Sequence, residues 1–335
     1  MKLKLKEIAD IARGKVLGDP NTAITGVANI DDAGKGDLTF VLDNRNLNKA
    51  ENSPAAAIVS REGAGHKKPA ILVGDPRLAM ALILEKFKPL AKVKKGIHKS
   101  AVIGNNTKIP KDASIQAFVT IGDNVNIGKG VKIYPNVYIG DNVSVGDGSV
   151  IYPNAAVYER ITIGKRVVLH SGAVIGMDGY GFVFHEGRHK KIPQIGTVII
   201  EDDVEIYSNT CVARATLGAT IIKKGTKIDN LSQVAHNCRL GENCALTSLI
   251  GMAGSVTLGD RVFVGGQSGF NGHISVGDNT VIMARAGVTK SIPSNSIISG
   301  FPAQDHRKEM EMQALLHMLP KLLKRIEELE KKLKK

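Results

Sequence analysis

From Val102 to about Ser299 the sequence repeats every six residues, and this limits the fold more sharply than any other feature. The register shows in IGDNVN, IGKGVK, IYPNVY, IGDNVS, VGDGSV and IYPNAA, starting at Ile121. It returns in VAHNCR, LGENCA, LTSLIG, MAGSVT, LGDRVF, VGGQSG and FNGHIS, starting at Val234. The first position is aliphatic, or occasionally Met or Phe; the second is often Gly, and the fifth is usually small or β-branched. Such a period predicts a parallel β-helix in which each unit makes one short strand and a bend. Three units, about eighteen residues, close a triangular lap, and laps stack ~4.8 Å apart as in any β-ladder. The span holds about nine or ten laps. A narrow interior of this kind suits the composition: hydrophobic residues reach 43% but aromatics only 4%, Trp is absent and Gly numbers 36.

Two stretches break the register, residues 177–197 (MDGYGFVFHEGRHKKIPQIGT) and, more briefly, 213–221 (ARATLGATI). A solenoid accepts insertions only on its outer surface, often the binding face. Ahead of the prism, strand-like runs (AITGVANI, LTFVL, AAAIVS, PAILVGD) alternate with turn residues, and a helical segment follows at 77–88. That pattern predicts a small α/β domain over 1–95, with KPLAKVKKG as a linker. The N-terminal MKLKLKEIADIARG is basic, but Leu5, Ile8, Ile11 and Ala12 fall at helical spacing and not in an apolar leader. No run approaches the ~18–20 apolar residues of a membrane span. The prism is expected over 96–300 and C-terminal helices over 301–335. Beyond Pro320, Leu322, Ile326, Leu329 and Leu333 alternate at 4/3 spacing. Such a seam either pairs with another copy or packs on its own subunit.

Formal net charge is +13, which favours an acidic partner. Nucleic acid is not expected, since no aromatic-interleaved basic stripe or recognition helix appears. Cys211, Cys238 and Cys244 are odd in number and form no CxxC, which points away from disulfides and zinc knuckles and toward a cytoplasmic location.

Lap length alone brings His236 (VAHNCR), Gly254 (MAGSVT) and His273 (FNGHIS) to one side of the prism. An imidazole titrates near neutrality, as a general base must. A glycine beside it leaves an approachable backbone, as an oxyanion donor requires. The bland alternative, a surface histidine that merely satisfies backbone groups, stays open on periodicity alone. Cys238 and Cys244 occupy fifth positions and read as core filler. A catalytic metal needs three protein ligands. No third imidazole lies near His236 in sequence, although His170 can approach from a neighbouring subunit, so neither metal nor cofactor is expected.

KIDNLSQVAHNCRLGENC (227–244), DGYGF (178–182), KIPQ (191–194), GGQSGFNGHISVGD (265–278), SGFPA (299–303) and DLTF (37–40) together resemble the UDP-3-O-acylglucosamine N-acyltransferases of lipid A biosynthesis. The resemblance covers essentially the whole chain. It implies a left-handed β-helix assembled as a homotrimer, with active sites in clefts between subunits. An (R)-3-hydroxyacyl group would pass from the phosphopantetheine thioester of acyl carrier protein to the 2-amino group of a UDP-linked, 3-O-acylated glucosamine. It also implies His236 as base, the Gly254 backbone NH as oxyanion donor, His273 in support and Asp229 as an orienting group. The N-terminal domain would bind uridine with Phe40 stacked on the base. Where the family usually carries a second aromatic, this chain has Asn44, Asn46 and Leu47. Tyr180, Gln233 and Gln267 are the other implied substrate contacts. CVARAT (211–216) departs too, with Ala213 in a usually acidic place. Arg285, Arg307, Lys308, Lys321, Lys324 and Arg325 would dock the carrier protein, and Gly287 would leave an acyl groove open for a longer chain. Three rivals stand beside this reading. They are a UDP-N-acetylglucosamine O-acyltransferase, which normally starts directly with the prism, a metal-dependent hydratase, and a non-catalytic trimeric scaffold.

Overall fold

The six-residue period becomes hydrogen-bond register: Thr120 pairs with Tyr138 and Ile121 with Ile139, and these pair with Ala156 and Val157 one lap on. This computed structural model describes residues 2–63, 65–89 and 93–333. Two compact units divide between residues 92 and 93.

The larger unit is a three-faced parallel β-helix. The first face runs from Gly96–Ile97 to Ile297–Ser299 and forms a 12-stranded sheet, including one antiparallel strand, Gln304–Asp305. The second face, Val102–Ile103 to Gly287–Val288, has 10 strands, and the third, Asn126–Ile127 to Ser275–Val276, has 8. First positions point inward: Ile121, Ile139, Val157, Ile175, Val212, Val234 and Met252 are all buried. Burying one such side chain contributes ~1.5–3 kcal/mol, repeated on every lap. Cys238 and Cys244 fill the core at fifth positions, and burial pushes the Cys238 thiol up to about 11.

Each corner turns on a residue at positive φ, typically Asn (Asn124 56°, Asn142 58°, Asn237 60°), whose short polar side chain tolerates that region. The N–H just before it, at the third position, falls outside the ladder. Six times an Asp carboxylate on the next lap accepts it at 2.6–2.8 Å, as when Asp123 serves Asn105 and Asp141 serves Asp123. Pro135 and Pro153 meet the same need by having no N–H. Identical stacking aligns Tyr134, Tyr152, His170 and Tyr207 into a ring ladder with centroid spacings of 5.0, 5.1 and 4.3 Å. His170 is committed there, its Nε2 lying 2.9 Å from Glu205 Oε1.

The smaller unit carries helix α1 (Leu5–Ala12), which buries Leu5, Ile8, Ala9 and Ala12. Its five-stranded sheet comprises β1 (Lys15–Leu17), β2 (Gly26–Val27), β3 (Asp37–Phe40), β4 (Ala57–Arg61) and β5 (Ala70–Val73), in the order β1-β5-β4-β3-β2. Helix α2 (Pro76–Phe87) follows, with Asp75 capping the Arg77 and Leu78 N–H groups and Pro76 in the first turn.

The tail departs from expectation. It is one helix, α3 (His306–Leu333), that passes through Pro320 and buries no residue. Strong helix formers on both sides of Pro320 outlast the single bond it removes. The Leu322, Ile326, Leu329 and Leu333 seam is exposed, so α3 does not pack along its own subunit. Among the described residues no helix is long and apolar enough to cross a membrane.

At the root of the 177–197 excursion, the Arg214 side chain is 3% exposed and donates to Gly176 O and Glu159 Oε1, both at 2.6 Å. The carboxylate missing at Ala213 is thus supplied by Glu159, from an earlier lap. Partial burial pulls the Glu159 carboxyl up, but its bond to Arg214 outweighs that and holds it below the ordinary 4.5. Glu159→Ala should lower stability by roughly 2–3 kcal/mol in urea titrations, less than a fully buried pair because Glu159 is partly exposed. A group with a depressed folded pKa stabilises above its unfolded pKa, so the wild-type advantage should be complete above pH 4.5 and fade as pH falls below it.

Candidate active site

Val234 points into the core, so Ala235, His236 and Asn237 must turn the corner between the second and third faces. On the next lap the Ser255 N–H donates to the His236 carbonyl at 2.9 Å, and on the one after, the His273 N–H donates to the Gly254 carbonyl at 3.0 Å. His236, Gly254 and Gly272 therefore share one column. His273 stands on the same side in the adjoining column with Asn237 and Ser255, two laps and one residue from His236, and it is exposed.

The half-buried imidazole lies between two bare backbones. A Cβ on Gly254 would fall 2.6 Å from His236 Cε1 and Nε2, and one on Gly179 of the excursion would fall 2.6 Å from His236 Cβ. Asn237 sets the proton. Its Nδ2 donates to Leu217 O at 2.9 Å, which leaves Oδ1 to accept from Thr216 N at 3.0 Å and to face His236 Nδ1 at 3.1 Å. An acceptor opposite Nδ1 selects the tautomer protonated there and leaves the Nε2 lone pair over Gly254. Asn237 was missed in the sequence, where its one signal is adjacency to His236.

Asp229 does not orient His236. Its carboxylate accepts from Ser248 Oγ at 2.5 Å and from the Asn230 N–H at 2.8 Å, and these bonds hold it below the usual carboxylate range. Seven residues earlier is the preceding corner, which faces elsewhere. No acceptor among the described residues takes the Gly254 N–H.

The excursion forms a hairpin, β6 (Phe182–His185) with β7 (Arg188–Lys191), closed at its base by an Asp178–Lys191 ion pair. Buried Gln194 ties it to the site, donating to Ile192 O at 3.0 Å and accepting from Thr216 Oγ1 at 2.9 Å. Tyr180 is 87% exposed on this excursion.

On the second face Gly251, Gly269 and Gly287 stack in register. They floor a groove of about 740 Å³ that starts at Ala253, beside Gly254, and ends at Phe301. Gln267 and Arg285 form its rim, joined at 2.8 Å. Gln233 pairs with Gly251 just before it. The lane is open at Gly251 and Gly269, but a Cβ on Gly287 would meet Phe301 Cδ2 at 2.1 Å. The space expected at Gly287 is thus filled by a ring.

Within the smaller unit, Phe40 and Asn46 line a pocket of about 250 Å³ together with Thr39, Leu42 and Met80. Asn44 is exposed and does not line it. Arg307, Lys308, Lys321, Lys324 and Arg325 all stand on α3. Among the described residues no group of three or more His, Cys, Asp or Glu is placed to hold a metal ion.

A family model described as UDP-3-O-(3-hydroxymyristoyl) glucosamine N-acyltransferase, LpxD, matches residues 21–86. Bacterial transferase hexapeptide models match 100–133, 118–152 and 143–176, and a succinyl-transferase hexapeptide model matches 255–292. The UDP-3-O-acylglucosamine N-acyltransferase of Syntrophus aciditrophicus is 49% identical over 99% of this chain and 94% of its own length. That of Geobacter sp. strain M21 is 49% identical over 99% and 96%. UDP-3-O-acylglucosamine N-acyltransferase 1 of Gloeobacter violaceus is 41% identical over 98% and 95%. The crystal structure of the Arabidopsis UDP-N-acetylglucosamine acyltransferase, at TM-score 0.51 and 21% identity over 63% of this chain and 71% of that one, shares the fold alone. A prism with this corner, a matching domain ahead of it and relatives alike over nearly the full length place the chain in the UDP-3-O-acylglucosamine N-acyltransferase family.

Proposed function

We propose that this chain acylates the 2-amino group of a UDP-linked, 3-O-acylated glucosamine, taking a 3-hydroxyacyl group from the thioester of an acyl carrier protein. The observation that carries the reading is His236 Nε2 lying against the bare α-carbon of Gly254, whose N–H no described acceptor claims. Nε2 takes a proton from the amine as its nitrogen attacks the thioester carbonyl carbon. The new C–N bond leaves charge on the carbonyl oxygen, and the Gly254 N–H donates to it. Collapse breaks the C–S bond, and the imidazolium returns the proton to the departing thiolate. In this reading His273, in the adjoining column two laps on, supports the reacting thioester, the role the family resemblance implies.

The glycine lane takes the acyl chain, with Phe301 at its far end. Gln233, Gln267 and Tyr180 are the remaining acceptor contacts on the prism. Phe40 stacks on the uracil, Asn46 lies beside it, and Met80 offers apolar surface where a second ring is missing. The net charge of +13 supports docking of an acidic carrier protein on Arg285 and the cations of α3. The exposed apolar seam of α3 supports a homotrimer in which neighbouring prisms complete the cleft.

His236→Ala should lower turnover roughly 10²–10⁴-fold, the scale of a lost general base, without dissolving the assembly. Acyl transfer that persists in that variant, or equal use of UDP-N-acetylglucosamine as acceptor, would count against the reading. Phe40→Ala should raise the acceptor KM by about tenfold while turnover changes little, since stacking on a base contributes ~1–3 kcal/mol. Phe301→Ala should shift the preferred donor toward longer hydroxyacyl chains in a mixed-donor assay read by mass spectrometry; an unchanged distribution would mean the chain does not reach Phe301.

A further inference from the structure

A third-position N–H of the prism is claimed from the next lap where Asp or Asn stands there: by the carboxylates of Asp123, Asp141, Asp147, Asp202, Asp260 and Asp278, and once by a neutral amide, Asn230 Oδ1 accepting from Ser208 N at 3.0 Å. Where the next lap offers Glu159, Lys165, Lys224 or Gly266 instead, no such bond forms among the described residues. The corner that holds His236 carries such caps on its early laps, where Asp123 serves Asn105 and Asp141 serves Asp123. Further along the same corner the third positions read His236, Gly254 and Gly272, and no acceptor follows. The lap after Gly254 is otherwise regular: Gly272 is not at positive φ, and His273 makes the usual ladder bond to Gly254. A side chain at 272 is thus sterically admissible. Its Cβ would lie 3.2 Å from Gly254 O and 3.8 Å from Ala253 Cβ, which is a tight contact without overlap.

We propose that Gly272 is a positioning residue for acyl transfer: by carrying no side chain it leaves the Gly254 N–H unclaimed, so that the developing oxyanion is its first strong acceptor. This rests on the reading of His236 and Gly254 as base and oxyanion donor. A backbone donor already bonded to a carboxylate cannot serve the transition state without breaking that bond, whereas a free, fixed donor needs no reorganisation. An Asp at 272 would stand where Asp123 and Asp141 stand on earlier laps and would occupy the donor permanently. Asn would do the same without adding charge, as Asn230 does.

Gly272→Asp, Gly272→Asn and Gly272→Ala in the full chain test this, with kcat, KM and melting temperature measured for each. Asp and Asn should each lower kcat about 10²–10³-fold, the scale of losing one oxyanion donor, with KM within about threefold of wild type. Their melting temperatures should match or exceed wild type, because the prism accommodates an Asp or Asn cap at this position on seven other turns. Ala, which brings bulk but no acceptor, should lower kcat by less than about tenfold. Wild-type kcat in both the Asp and Asn variants overturns the proposal, as does an Ala variant as slow as they are. His236→Ala keeps the two readings apart. If it abolishes turnover while Asp and Asn at 272 do not, this inference alone falls; if it leaves turnover intact, both fall.

Discussion

Each lap of this prism stacks residue for residue on the next. Parallel stacking at a fixed period means that a side chain at one position meets the same position of the next lap and little else. The Asp column, the tyrosine ladder and the glycine lane all follow from that constraint. The candidate site needs no special loop to gather its parts, because an imidazole and a bare amide become neighbours once they are a lap apart.

What the solenoid supplies unaided is alignment; what it lacks is orientation. The imidazole's tautomer depends on Asn237, and the Asn237 amide is itself oriented by Leu217 and Thr216, both from the second break in the register. Thr216 in turn is held by Gln194 at the end of the hairpin excursion. The two interruptions therefore converge on one ring. Gly179 allows the first to lie against it, and Arg214 anchors the root of that arch to an earlier lap.

This division explains what was legible in the sequence. Periodicity predicts strands, core and the pairing of His236 with Gly254, because all of these depend only on residue spacing. It assigns Cys238 and Cys244 to the core for the same reason. It fails for Asp229, where distance along the chain was read as proximity although a corner intervenes. It brings His273 to the same side, in the adjoining column, since its spacing from His236 is two laps and one residue. Asn237 was invisible because its partners arrive from irregular segments with no period to count. Phe301 over Gly287 was missed likewise, as the chain there has already left the register. At Pro320 a local breaker rule lost to the helix formers around it.

The site thus reads as a place where the prism leaves out a cap that it uses on other turns. On seven other turns an Asp or Asn one lap on satisfies the corner donor, as backbone polar groups are satisfied in most native structures. At Gly254 a donor is left open beside a titratable ring and at the mouth of an apolar lane. An unsatisfied amide destabilises a corner slightly, by about 1 kcal/mol on the usual scale for a lost hydrogen bond. The many laps of buried aliphatic residues on either side absorb that easily. Catalytic capacity at this corner then depends on an omitted cap together with the groups beside it, since an open amide becomes an oxyanion donor only where an imidazole and an apolar lane adjoin it.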